Sequence, residues 1–198
     1  MKLILGSTSP FRKQLLERLH LEFSCVAPDI DETPLASESI ESMVMRLAEL
    51  KAEAVAGQIK VRGEDALIIG SDQSAVLNGR PLSKPGNFDN AVRQLTEASG
   101  QRIVFQTGLC LLNTRTGRKQ TLCEPYTVVF KQLSAQTIER YLKIEEPYNC
   151  AGSFKSEGLG IALFEKMQGD DPNSLIGLPL IRLIKMLENE AIEIPPAI

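Results

Sequence analysis

A run of three apolar residues, Leu3-Ile4-Leu5, passes through the polar turn Gly6-Ser7-Thr8-Ser9 into Pro10 and the stripe Phe11, Leu15, Leu16 and Leu19. Strand, tight turn, helix is the order these residues predict, and a buried strand feeding a helix is the building block of an α/β fold. Ser9 stands where an N-cap belongs, and Pro10 suits the first helical position, where its missing N–H is no loss. The helix should run from Pro10 to about His20, with Phe11 as a core residue of its first turn. Free amides and the positive end of the helix dipole then face the loop and can hold an anion. Three hydroxyls and the cations Arg12 and Lys13 surround that place. An ordinary capped turn explains the same residues equally well.

At 198 residues the chain can form one large domain or two small lobes, with a substantial core. A net charge of −3 and a pI near 5.4 argue against a general nucleic-acid binder, although not against a locally basic pocket for a phosphorylated molecule. Cys25, Cys110, Cys123 and Cys150 are widely spaced, with no C-x-x-C pair and only His20 to assist them. They should be reduced and buried. The apolar run at Leu3 is interrupted at Gly6, so no signal peptide is expected, and no stretch approaches a membrane span. These features predict a cytoplasmic protein.

Phe23 to Ala27 reads as a strand emptying into an acidic loop, Pro28-Asp29-Ile30-Asp31-Glu32-Thr33-Pro34. Such a loop suits either solvent or a hard divalent cation, which takes oxygen ligands. A second helix is expected from Ser39 to Ala56, stopped by Gly57. Lys51 falls on its apolar stripe, four residues after Leu47, and either snorkels past the core or reaches into a polar cavity. Ala66 to Gly70 is a fully apolar strand ending in Ser71-Asp72-Gln73, and ligands collect beyond such strand ends in α/β sheets. Asn78-Gly79 predicts a hairpin. Lys84-Pro85 predicts an extended loop, and Asn87 to Gly100 a helix.

From Ile103 the pattern turns antiparallel, with strands at 103–112, 119–123 and 126–132. A Ser134-capped helix reaches Glu145. The glycine-rich stretch from Cys150 to Gly160 lacks the dinucleotide order. A strand at 161–164 and a last helix from Gly177-Leu178-Pro179 complete the chain. The expected fold is α/β, with a mixed twisted sheet and flanking helices.

Leu5-Gly6-Ser7-Thr8-Ser9-Pro10 with Arg12, Asp31-Glu32, Arg46-Leu47-Ala48 with Lys51-Ala52, Gly70-Ser71-Asp72, Lys84-Pro85, Ala151-Gly152 and Gly177-Leu178-Pro179-Leu180 occur in that order. The ordered set resembles the Maf family of nucleoside triphosphate pyrophosphatases. The resemblance implies one Maf-like domain over 1–198, a fold like the inosine triphosphate pyrophosphatases, and two lobes around a cleft without a separable linker. It also implies hydrolysis of a nucleoside triphosphate to the monophosphate and pyrophosphate, by water attacking the α-phosphorus, with a divalent cation (Mg, Mn or Co). Ser7, Ser9, Arg12, Lys51 and Lys84 would hold phosphate. Glu32 and Asp72 would bind the metal or the water, with Asp72 as the proton acceptor.

Phe11, Gln73 and Glu157 depart from the arginine, threonine and glutamine usual in relatives acting on thymidine or uridine triphosphates. Together they resemble the subgroup that hydrolyses 7-methyl-GTP. An N7-methylated guanine is cationic, so an aromatic face can stack on it and a carboxylate can pair with it. The implied partner is a small nucleotide, with no nucleic acid and no membrane, and a homodimer is one oligomeric state open to the chain. Two other functions compete: a pyrophosphatase for another nucleotide, such as uridine, thymidine or pseudouridine triphosphate, or a nucleotide-sensing regulator of cell division without turnover. The absence of G-x-x-x-x-G-K-[ST] disfavours a phosphate-loop NTPase, and the single histidine disfavours a cysteine hydrolase.

Overall fold

A computed structural model describes residues 1–60, 63 and 65–196. In chain order the elements are β1 (Lys2–Gly6), α1 (Pro10–Glu17), β2 (Ser24–Cys25), α2 (Ile40–Lys60), β3 (Ala66–Leu77), β4 (Arg80–Leu82), α3 (Phe88–Ala98), β5 (Arg102–Asn113), β6 (Lys119–Phe130), α4 (Ala135–Glu145), β7 (Phe164–Gln168), α5 (Asn173–Ile176) and α6 (Leu180–Glu188). The sheet is mixed, as expected, with hydrogen-bonded order β2-β1-β3-β5-β6-β7 and β4 paired to β3. Two compact units are present. The first comprises Met1–Gln73, Thr107–Glu124 and Asn173–Ile198; the second comprises Ser74–Gln106 and Pro125–Pro172.

In the first unit β1 runs parallel to both β2 and β3, with Ile4 beside Ile68 and Gly6 beside Gly70. Alternate residues serve opposite faces. Leu5, Leu67, Ile69, Leu109 and Leu111 pack with Leu16 of α1 and Leu183 and Leu187 of α6. Ile4, Ile68 and Cys110 pack with Ala48, Ala52 and Val55 of α2. Burial on both faces is why these strands read as continuous apolar runs. Gly108 lets α2 come close, because a Cβ there would overlap the carbonyl of Val44.

The second unit packs α3 on α4 and gathers Phe105, Phe130, Phe154 and Phe164 edge to face, with ring centroids 4.9–5.6 Å apart. The Asn78-Gly79 hairpin forms, with φ of 50° and 77°. Asn87 and Ser134 cap α3 and α4 through their side chains.

Several expected boundaries shift. α1 ends at Glu17, because the chain turns at 18–20 and His20 takes a φ of 53°. Gly57 does not stop α2: it keeps a negative φ, and buried Ile59 extends the apolar stripe beyond it. β3 does not end at Gly70 but continues through Asp72 to Leu77. The strands expected at 119–123 and 126–132 are one, β6, running through exposed Pro125. Pro125 lies outside Thr127–Phe130, the stretch of β6 that pairs to β7. Residues 159–163 form a 3₁₀ turn, so the expected strand at 161–164 begins only at Phe164. None of the four cysteines is in a disulfide; Cys110 is buried as expected, whereas Cys123 and Cys150 are half-buried and Cys25 is exposed. Among the described residues no helix is long and apolar enough to cross a membrane.

Candidate active site

Asp72 lies inside β3, two residues past the point where β1 ends beside Gly70. It is therefore beyond the carboxyl end of one strand while held rigidly in its neighbour. Lys51 points inward from α2 rather than snorkelling and is only 7% exposed. Its Nζ donates to Asp72 Oδ1 at 2.6 Å and pairs with Glu32 Oε1 at 2.7 Å. Glu32 comes from the acidic loop and keeps a side chain 59% exposed, so one carboxylate is buried and the other wet.

The 7–12 turn adds the next layer. Buried Ser7 accepts the Ser9 N–H at 3.1 Å, and Ser9 caps α1 by accepting the Arg12 N–H at 3.4 Å. Arg12 Nε donates to the carbonyl of Gly177 at 2.8 Å, and Ser71 Oγ donates to the same oxygen at 2.9 Å. Burial holds the Arg12 guanidinium below its ordinary pKa, while the charges of Asp72 and Glu32 oppose that shift. Two cations thus face two carboxylates beside a capped helix N-terminus.

Asp72 and Glu32 offer carboxylate oxygens to a hard cation, and both carboxylates converge on the point where the Lys51 ammonium sits. Among the described residues no group of three or more His, Cys, Asp or Glu side chains gathers as a metal cluster. Two carboxylates suit a cation that draws its remaining ligands from phosphate and water, which is the habit of Mg²⁺.

The Maf-like protein family profile matches residues 2–190. A 7-methyl-GTP pyrophosphatase of Alcanivorax borkumensis is 55% identical over 98% of this chain and 96% of its own. One of Vibrio cholerae is 52% identical over 98% and 97%. The chain belongs to the Maf family. Its fold is similar to the Ham1 protein of Staphylococcus aureus (TM-score 0.54, 13% identity, 96% of this chain and 100% of that one). A HAM1 protein from Coxiella burnetii is similar too (TM-score 0.53, 15% identity, 96% and 99%).

The Maf chain brings Ser7, Ser9, Arg12, Glu32, Lys51 and Asp72 together in its first unit. Phe11 is half-buried and lies outside the apolar cluster around α1, so it is not the core residue its spacing predicts. Gln73 is tied inward: its amide nitrogen donates to Thr107 Oγ1 at 2.9 Å and to the carbonyls of Ser174 at 2.6 Å and Leu175 at 3.3 Å. Lys84 and Glu157 are exposed residues of the second unit, and both act electrostatically on Cys150.

Reading the sequence for chemistry misses three contributors in this Maf chain: Ser71, Gly177 and Arg46. The first two meet at one carbonyl, and Gly177 needs to be glycine because its φ is 124°. Arg46 pairs with Glu38 through two nitrogens, at 2.6 and 2.7 Å. Arg46 and Gly177 stand inside blocks that carry the family resemblance, which is the one signal that could have drawn attention to them.

Proposed function

We propose that this Maf chain hydrolyses nucleoside triphosphates to the monophosphate and pyrophosphate, and that it takes an N7-methylated guanine base best. The carrying observation is the Lys51 ammonium between Asp72 and Glu32, beside the Ser7–Arg12 turn. That arrangement answers the main demand of the reaction. Water must reach the α-phosphorus while the departing pyrophosphate accumulates negative charge.

Arg12, Lys51 and the helix N-terminus neutralise phosphate charge, and exposed Lys84 offers a further cation. Asp72 takes the proton of the attacking water, a task that suits a carboxylate fixed in a strand. A divalent cation held by Asp72 and Glu32 would supply charge neutralisation and make the water more acidic. For the base, half-exposed Phe11 offers an aromatic face and exposed Glu157 a carboxylate, the two groups that attract a cationic purine. Gln73 contributes to selectivity by fixing the Ser174–Leu175 segment through its amide nitrogen rather than by offering that nitrogen to the base. The names of the relatives from Alcanivorax borkumensis and Vibrio cholerae support this choice of base.

The test is pyrophosphate release from GTP, 7-methyl-GTP, UTP and dTTP, with and without Mg²⁺. A clear preference for 7-methyl-GTP is expected, and Glu157→Gln should lose that preference while keeping turnover. Equal rates on GTP and 7-methyl-GTP would overturn the base assignment. Nucleotide binding with no pyrophosphate from any substrate would favour a sensing role instead.

A further inference from the structure

Of the carboxylates in the acidic loop, Glu32 reaches Lys51, yet its loop has little of its own to hold it there. Residues 31–37 are all exposed and contribute nothing to the buried core. Asp31 is occupied locally: its Oδ1 accepts the Thr33 N–H at 2.9 Å and the Thr33 hydroxyl at 2.6 Å, which forms a turn. Besides the Glu32–Lys51 pair, what ties the loop to the body of the unit is Arg46 on α2. Its Nε and Nη2 grip both oxygens of Glu38, and Nη2 also donates to the carbonyl of Thr33 at 3.3 Å. Glu38 in turn accepts the Leu35 N–H at 3.2 Å. The Glu38 side chain is only 9% exposed and that of Arg46 24%, so the pair is partly shielded from water. Forked pairs of this kind fix direction as well as distance.

We propose that Arg46 is a positioning residue: its forked pair with Glu38 clasps the 31–38 loop to α2 and thereby sets Glu32 on Lys51, opposite Asp72. The proposal rests on the pyrophosphatase reading of that site. Arg46 and Lys51 lie five residues apart on one helix, about 7.5 Å along its axis. The loop is therefore pinned at two points of a single rigid element. Arg46 holds the backbone at Thr33, the residue next to Glu32, and Lys51 holds the Glu32 carboxylate. Without the clasp Glu32 keeps its attraction to Lys51 but loses its fixed approach, and a small misplacement of such a group is costly to turnover.

The test combines amide hydrogen exchange with kinetics on Arg46→Gln, Glu38→Gln and the exchanged pair Arg46→Glu/Glu38→Arg. In protein without added cation or nucleotide, Arg46→Gln should speed exchange at Thr33 and Leu35 by about tenfold or more, with β1 and β3 unchanged. With Mn²⁺ and nucleotide, the same variant should lower kcat by about tenfold or more and raise the Mn²⁺ needed for half-maximal rate, leaving nucleotide KM within about twofold. Glu38→Gln should behave alike, the two changes together should cost no more than either alone, and the exchanged pair should recover only the part carried by the fork itself, because a carboxylate at position 46 cannot donate to the Thr33 carbonyl. Wild-type exchange and wild-type Mn²⁺ dependence in Arg46→Gln, beside a strongly impaired Glu32→Ala, would overturn the clasp and leave the site reading standing. Full activity of Glu32→Ala would instead overturn the reading of the site, and the clasp's role with it.

Discussion

Gly70 of β3 lies directly beneath Ala48 of α2, so closely that a Cβ at Gly70 would overlap the Ala48 carbonyl oxygen. This approach brings Lys51, one turn further along α2, within 2.6 Å of Asp72, two residues further along β3. A missing methyl group in the sheet thus sets the geometry of the charged site.

Gly70→Ala should therefore act on stability and activity together. The obstacle is the α2 backbone at Ala48 and Ala52, which no rotamer change relieves. A loss of about 2 kcal/mol is expected from overpacking, read by urea denaturation. Turnover should fall further than the lost fold accounts for, because α2 carries Lys51 away from Asp72.

Asp72→Asn keeps the shape and removes the proton acceptor. Turnover should fall by about 10²-fold or more, with little change in substrate affinity. Near-normal steady-state turnover would remove Asp72 from the chemistry.

The loop bearing Glu32 should loosen in acid. Hydrogen bonds from Arg46 hold the Glu38 carboxyl below the usual range, and hydrogen bonds from Thr33 do the same for Asp31. A carboxyl depressed in the folded state contributes stability above its unfolded pKa and loses it as pH falls through the folded value. Protection of the Thr33 and Leu35 amides, relative to their intrinsic exchange at each pH, should accordingly hold through the ordinary glutamate range and fall only below it. Loss of protection already near neutral pH would contradict this ordering.

Thiol reactivity should separate the cysteines. Burial pushes the Cys110 and Cys123 thiols up to about 11, and it raises Cys150 as well. At pH 8 a thiol of that pKa is thiolate in only roughly one molecule in a thousand. Exposed Cys25 should be alkylated first, with Cys110 last, as followed by mass spectrometry under native conditions.

Much of this could be read locally. The capped turn at Ser9-Pro10, the apolar strand through Ile68, the Asn78-Gly79 hairpin and the caps at Asn87 and Ser134 all obey short-range rules, and all form. The errors have a common origin. Gly57 and Pro125 are local signals to stop, and each was overruled by burial or pairing with residues distant in the chain.

The sequence alone determined the alternation of strands and helices, the apolar character of both sheet faces and the ordered motifs that mark the family. These depend on spacing and side-chain type within a few residues. Only the tertiary structure decided that Lys51 turns inward between Asp72 and Glu32, that Arg46 clasps Glu38, and that Arg12 meets the Gly177 carbonyl 165 residues away. Those contacts depend on strand register and on how closely α2 lies on the sheet. Both are set by packing across the whole unit, and no local pattern encodes them.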